Sequence, residues 1–93
     1  MPGDGPVAVG PTRPDVTMQR MGREAILHDA GAGKAHVINA SAARVWELCD
    51  GRAMDDLLRA FAEPYGRSPD DVRADVERVV AGFRQLGLLA EPA

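Results

Sequence analysis

The chain has few of the residues that build catalytic, metal-binding or nucleic-acid-binding sites. Its 93 residues include one cysteine, two histidines, one lysine and 4% aromatics, and its net charge is −3. A single cysteine excludes an intramolecular disulfide. Binding to phosphates needs clustered basic residues, but the eleven basic residues here are spread among fourteen acidic ones. The composition therefore argues against a nucleic-acid partner.

Long apolar runs are also absent from the sequence. There is no run of about 18 apolar residues and no secretory segment, so we expect a cytoplasmic protein without a membrane partner. A chain of this length favours one domain. Because aromatics are scarce, the core must be largely aliphatic, with Trp46 and Phe83 as its large side chains.

Proline and glycine dominate the first 14 residues, which contain four prolines and three glycines. Such a stretch has too little apolar surface to offset the entropy lost on ordering. We therefore predict a disordered tail over residues 1–14 and a folded domain over residues 15–91.

Residues 16–38 have the composition of a small antiparallel sheet. Residues 16–21 and 24–28 predict two strands joined by a turn at Gly22, and residues 35–38 predict a third strand after a glycine-containing loop. In the second strand, Ala25 and Leu27 share one face, with Ile26 and His28 on the other.

The pattern becomes helical after residue 38. Either Asn39 or Ser41 is a candidate N-cap for a helix that ends at Asp50-Gly51. A second helix is predicted over residues 54–63 and is stopped by Pro64.

The third helix has the clearest signals. Ser68 is its predicted N-cap and Pro69 suits its first position. An apolar stripe then recurs at helical spacing: Val72, Val76, Val79, Val80, Phe83 and Leu86. The predicted fold class is α+β, with a three-stranded antiparallel sheet followed by a three-helix unit, similar to a winged helix-turn-helix.

Three side chains are candidates for chemistry. His28 and His36 lie on neighbouring predicted strands and could face one another, but a metal site needs further ligands. Cys49 lies on the apolar stripe of its helix, which favours a core residue over a nucleophile. No phosphate-binding loop, dinucleotide fingerprint or nucleophile elbow is present. We predict no catalytic residues, no metal and no cofactor.

Residues 38–51, with the sequence INASAARVWELCDG, resemble the strand-to-helix signature of PqqD-like proteins. In that family a hydrophobic-Asn-x-(Ser/Thr)-Ala segment leads into a helix ending in Leu-Cys-Asp-Gly or a close variant. The likeness extends over about residues 15–90, including the acidic start of the third helix at Asp70-Asp71 and the terminal Gly87-Leu88-Leu89.

The resemblance implies a RiPP recognition element, a domain that binds the leader segment of a ribosomally made precursor peptide. Such a domain presents the leader to a modifying enzyme, often a radical-SAM protein or a protease, in pyrroloquinoline quinone, lasso-peptide or related pathways. In the family the leader adds as a strand beside the third sheet strand and packs against the third helix.

Carried over to this sequence, that arrangement gives two groups of peptide-binding residues. The strand edge is formed by Ala35, His36, Val37 and Ile38. The helix contributes Val72, Asp75, Val76 and Val79. Arg73 or Arg78 could pair with an acidic leader. An exposed strand edge could also pair with a second copy, so a homodimer is possible.

Two other interpretations remain open at this point. The order of the helices alone permits a DNA-binding winged helix, although the 54–63 helix carries more acidic than basic residues. The two histidines with Cys49 permit a small enzyme or metal protein.

Overall fold

The computed structural model of this protein describes residues 8–91. Three strands come first and the helices follow. The elements are β1 (Val16–Met21), β2 (Glu24–Asp29), β3 (Lys34–Ile38), α1 (Ala40–Leu48), α2 (Met54–Ala62), a short 3-10 helix (Glu63–Tyr65) and α3 (Pro69–Gln85). The predicted fold class, a three-stranded antiparallel sheet followed by a three-helix unit, is confirmed.

The strands lie in the order β1-β2-β3, so β2 is central and antiparallel to both neighbours. Ala25 and Leu27 are fully buried beneath the helices, and His28 is exposed on the opposite face, as the alternation predicted. The register pairs Leu27 with His36, which puts His36 on the inner face. The expectation that the two histidines face one another is therefore wrong, because they project from opposite faces of the sheet.

Helix α1 starts and ends where the sequence indicated. Of the two predicted N-caps, Asn39 takes the role: its Oδ1 accepts a hydrogen bond of 2.8 Å from the backbone N–H of Ala42. After the helix, Gly51 has a φ of +99°, a conformation that side-chain-bearing residues rarely adopt. This turn redirects the chain into α2.

A capping box begins α3. The hydroxyl of Ser68 accepts a hydrogen bond from the backbone N–H of Asp71, whose carboxylate accepts one from the backbone N–H of Ser68. The helix buries much of the predicted stripe. Leu86 departs from that stripe, because it follows the last helical residue and its side chain is 52% exposed.

The core lies between the inner face of the sheet and the three helices. Trp46 and Phe83 are both buried, and their rings meet edge to face with centroids 5.3 Å apart. Aliphatic side chains fill the remaining space, including Leu27, Leu57 and Leu58, which are fully buried. The prediction of a largely aliphatic core containing Trp46 and Phe83 is confirmed, and Phe61 is a third buried aromatic that the prediction did not include.

Residues 8–14 pack against the domain. Val9 is fully buried, and its backbone bonds to Arg52 and Gly51 at 2.8 and 2.9 Å. Arg13 forms a bidentate ion pair with Asp29, a buried carboxylate at the end of β2. The predicted tail over residues 1–7 lies outside the described residues. For residues 8–14 the tail prediction does not hold, because one apolar side chain and one arginine find distant partners.

Candidate functional site

The outer edge of β3 is available for pairing. Within residues 8–91, β3 pairs with β2 on one side and with no strand on the other. Ala35 is exposed on the outer face of the sheet, as is Val37, at 65% exposed. Unpaired backbone N–H and C=O groups along such an edge can accept a further strand.

A groove opens directly after this strand. It has a volume of about 580 Å³ and lies between the start of α1, the end of α2 and residues 72–79 of α3. Asn39, the residue that follows β3, lines it together with Ser41. The groove therefore begins at the C-terminal end of the edge strand.

Three of the four residues predicted on α3 line this groove: Val72, Asp75 and Val79. They lie three and four residues apart, so they share one face of the helix. Val76 does not line the groove. Its side chain is 1% exposed and belongs to the core, because it lies on the side of α3 that faces the other helices.

The four residues predicted on β3 divide between the two faces of the sheet. Ala35 and Val37 are on the exposed outer face. His36 and Ile38 are partly covered on the inner face, and Ile38 packs against the core. None of the four residues lines the groove. Their proposed role in peptide binding therefore depends on the backbone N–H and C=O groups along the strand edge.

The groove has an aromatic wall that was not predicted from the sequence. Phe61 from the end of α2 and Tyr65 from the 3-10 helix line it, with ring centroids 6.1 Å apart. The guanidinium of Arg44 lies 5.3 Å from the Phe61 ring and 5.4 Å from the Tyr65 ring. Arg44 is a charged residue among the apolar residues of α1, and this feature of the sequence could have pointed to the cluster.

Arg44 is held in place by the end of α2. Its Nη2 donates to the backbone carbonyls of Ala60 and Phe61, at 3.3 and 3.5 Å. Its Nε is buried without a hydrogen-bond partner in the described part of the chain. Arg44 therefore fixes the aromatic wall and brings a positive charge next to it.

The two arginines expected to meet an acidic peptide behave differently. Arg78 lines the groove and donates to Asp75 at 3.0 Å. Arg73 points towards α2, where it lies 3.7 Å from Asp55, and it also pairs with Asp70. Only Arg78 of the two is placed to contact a molecule in the groove.

Cys49 is a core residue, as its position on the helix indicated. Its side chain is 2% exposed. Burial away from water raises the pKa of the Cys49 thiol to about 12. The thiol is therefore protonated near neutral pH, which is the opposite of what an activated nucleophile requires. Within residues 8–91, no three His, Cys, Asp or Glu side chains come together as a possible metal site.

Helix α2 does not have the surface of a DNA-reading helix. Its exposed face carries Asp55 and Asp56, and its Arg59 pairs with Asp56 at 3.2 Å. Phosphates would be repelled by these carboxylates. The structure therefore gives the DNA-binding alternative no support. As for membranes, none of the described helices combines the length and apolar character needed to span one.

One comparison with known proteins identifies a family. A family model described as "Coenzyme PQQ synthesis protein D (PqqD)" matches residues 24–89, which is more than half of the chain. No curated protein matches significantly.

A solved structure titled "TbiB1 in Complex with the TbiA(beta) Leader Peptide" is similar in fold, with a TM-score of 0.72 and 19% identity. The match covers 88% of this chain and 96% of that one. The matched family segment includes β2, β3 and all the helices, and hence the strand edge and the groove described above. Because the family model matches more than half of the chain, the chain belongs to the PqqD family.

Proposed function

We propose that this protein binds the leader segment of a ribosomally synthesised precursor peptide and presents it to a modifying enzyme. The observation that carries the proposal is the contiguity of a free strand edge with a groove lined by Val72, Asp75 and Val79. Family membership and a similar fold solved with a leader peptide support it. The protein acts as a binding module, and the chemistry belongs to its partner.

The leader adds as a fourth strand along residues 34–38. Each backbone hydrogen bond contributes about 0.5–1.5 kcal/mol net, so four or five give a few kcal/mol. Micromolar affinity requires about 8 kcal/mol. Two or three leader side chains buried in the groove, at about 1.5–3 kcal/mol each, make up the difference before ordering costs. The strand edge and the groove must therefore act together.

The partners follow from this role. The modifying enzyme is of the radical-SAM or protease type, and the pathway makes pyrroloquinoline quinone, a lasso peptide or a related product. A cytoplasmic location fits a precursor made on ribosomes. Without a leader, the free edge of β3 offers a surface for a homodimer.

The proposal is tested by titrating ¹⁵N-labelled protein with leader peptides encoded beside its gene. We expect amide shifts at residues 34–39 and along the groove face of α3. Binding is then compared between Val79→Gln, which puts a polar side chain in the groove, and Ala81→Gln, which puts the same side chain on the exposed opposite side of α3.

We expect Val79→Gln to weaken leader binding at least tenfold and Ala81→Gln to leave it unchanged, with both variants folded by circular dichroism. Absence of binding by every encoded leader contradicts the proposal. So does a set of shifts confined to surfaces away from β3 and α3.

A further inference from the structure

The charge of the groove is opposite to that of the whole protein. The chain has a net charge of −3. The groove, however, is lined by two arginines, Arg67 and Arg78, and by a single carboxylate, Asp75. The guanidinium of Arg44 lies immediately behind the aromatic wall. A locally positive groove in an acidic protein favours a negatively charged occupant.

Arg67 is the basic residue most available to such an occupant. Its side chain is exposed and makes no ion pair within residues 8–91. Two acidic residues that follow it are engaged elsewhere: Asp70 with Arg73, and Asp71 in the capping box with Ser68. The backbone N–H of Arg67 donates to the carbonyl of Ala62, which anchors this turn to the end of α2.

Arg78 already forms an ion pair, but it can still bind a second carboxylate. Its ion pair with Asp75 joins two side chains that are each about three quarters exposed. Exposed pairs of this kind contribute little free energy, because water competes with both partners. A second carboxylate can therefore share the guanidinium, which has donors left over. The first turn of α1, which meets the groove, contains no acidic residue that would repel this second carboxylate.

The remaining lining is apolar and lies beside these charges. Phe61 and Tyr65 form one wall, and Val72 and Val79 form the α3 side. A peptide added to β3 is extended, so its residues i and i+2 point in the same direction, roughly 6.6–6.8 Å apart. One such pair of side chains can enter a groove of about 580 Å³.

We infer that the leader carries an acidic residue two positions from an apolar one, with its carboxylate bound by Arg67 and shared with Arg78. The apolar side chain then lies against Phe61, Tyr65 and Val72. This rests on the proposed function and adds to it the chemistry by which leaders are selected. Arg67 is thereby a specificity-determining residue.

The test measures dissociation constants by fluorescence anisotropy for the leader that binds best. Each Asp or Glu of that leader is replaced in turn by Asn or Gln. The proteins compared are wild type, Arg67→Gln, Arg78→Gln and a control, Arg23→Gln. Arg23 is an exposed arginine in the β1–β2 turn, so its replacement makes the same charge change away from the groove.

We expect one acidic replacement to weaken binding to wild type about 3- to 10-fold, as for a charge-assisted hydrogen bond. The same replacement has less than a twofold effect on Arg67→Gln. Arg23→Gln binds like wild type. Reversing both charges, with Arg67→Glu and a lysine in the leader, restores part of the lost affinity, which a purely structural role for Arg67 would not do.

Two outcomes overturn the inference, and they are distinguishable. If a leader binds wild type but Arg67→Gln and Arg78→Gln both bind it within twofold, the charge selection is wrong and the proposed function stands. If no encoded leader binds wild type, the proposed function and the inference fail together.

Discussion

Replacing Val9 by alanine tests whether the segment before the sheet is part of the folded domain. Val9 is fully buried and belongs to the core cluster, although it lies in a stretch rich in proline and glycine. If the segment is docked as the structure shows, truncating this side chain leaves a cavity in the core. If it is a free tail, the substitution has no effect on the free energy of unfolding.

The magnitude follows from the groups removed. Valine to alanine deletes two methyl groups, worth about 1.6 kcal/mol at about 0.8 kcal/mol for each buried carbon. Incomplete collapse of the cavity adds to this, for a total loss of about 2–3 kcal/mol. A domain of this size has about 5–15 kcal/mol of stability. The variant should therefore stay folded but lose a measurable part of that stability.

Urea unfolding followed by the fluorescence of Trp46, the single tryptophan, measures the effect. With a slope of about 1 kcal/mol per molar urea, the midpoint should fall by about 2–3 M. Val37→Ala is the matched control, because it removes the same atoms from a side chain that is 65% exposed. Its cost should stay below about 1 kcal/mol, the range of strand propensities.

Amide hydrogen exchange of the wild-type protein gives an independent measurement. The N–H groups of Val9, Gly51 and Ala90 donate to Arg52, Val9 and Pro11 respectively, at 2.7–2.9 Å. We expect all three to be protected. A loss below 0.5 kcal/mol for Val9→Ala, together with unprotected amides at these positions, would refute the docked segment.

Three further predictions concern caps and titrating groups. Asn39→Ala removes the N-cap of α1 and should cost about 1 kcal/mol in urea unfolding, whereas Asn39→Ser should retain most of it; equal stability of all three proteins would contradict the capping role. Cys49 should resist thiol reagents at pH 8 until denaturant is added, and rapid labelling of the native protein would contradict its burial. Because its folded pKa of about 12 lies above the unfolded value of 9.0, stability should fall as pH rises from 9 towards 12, and Cys49→Ala should lack this part of the slope. Hydrogen bonding to Arg52 lowers the pKa of Asp50 to about 2, so its contribution to stability is present above about pH 4 and lost as pH falls through 2. A carboxyl NMR titration should show the Asp50 midpoint near 2, moving towards 3.8 in Arg52→Gln; a midpoint near 3.8 in the wild type would exclude the interaction.

Local signals in the sequence placed most of the secondary structure. Ser68 with Pro69 located the start of α3, and Gly51 and Pro64 separated the helices. Such signals are readable because a cap or a turn depends on a few neighbouring residues. The alternation of residues between the two faces of β2 could be predicted for the same reason.

The candidate site was only partly predictable. Of the four α3 residues that the family resemblance implied, Val72, Asp75 and Val79 line the groove, whereas Val76 faces the core. The three valines share one apolar stripe, and only the position of the other helices decides which edge of the stripe is covered. Phe61 and Arg67 were missed because they come from different elements that meet only when α2 and α3 pack together.

By itself, the sequence determined the fold class, the order of the elements, the N-cap of α3 and the family signature of residues 38–51. The tertiary structure alone decided the opposite faces of His28 and His36, the docking of Val9, the pairing of Arg13 with Asp29 and the positive charge of the groove. The physical reason is the range of the interactions. Periodicity and capping are set by residues within one or two turns, whereas register, buried ion pairs and grooves depend on side chains brought together from distant parts of the chain.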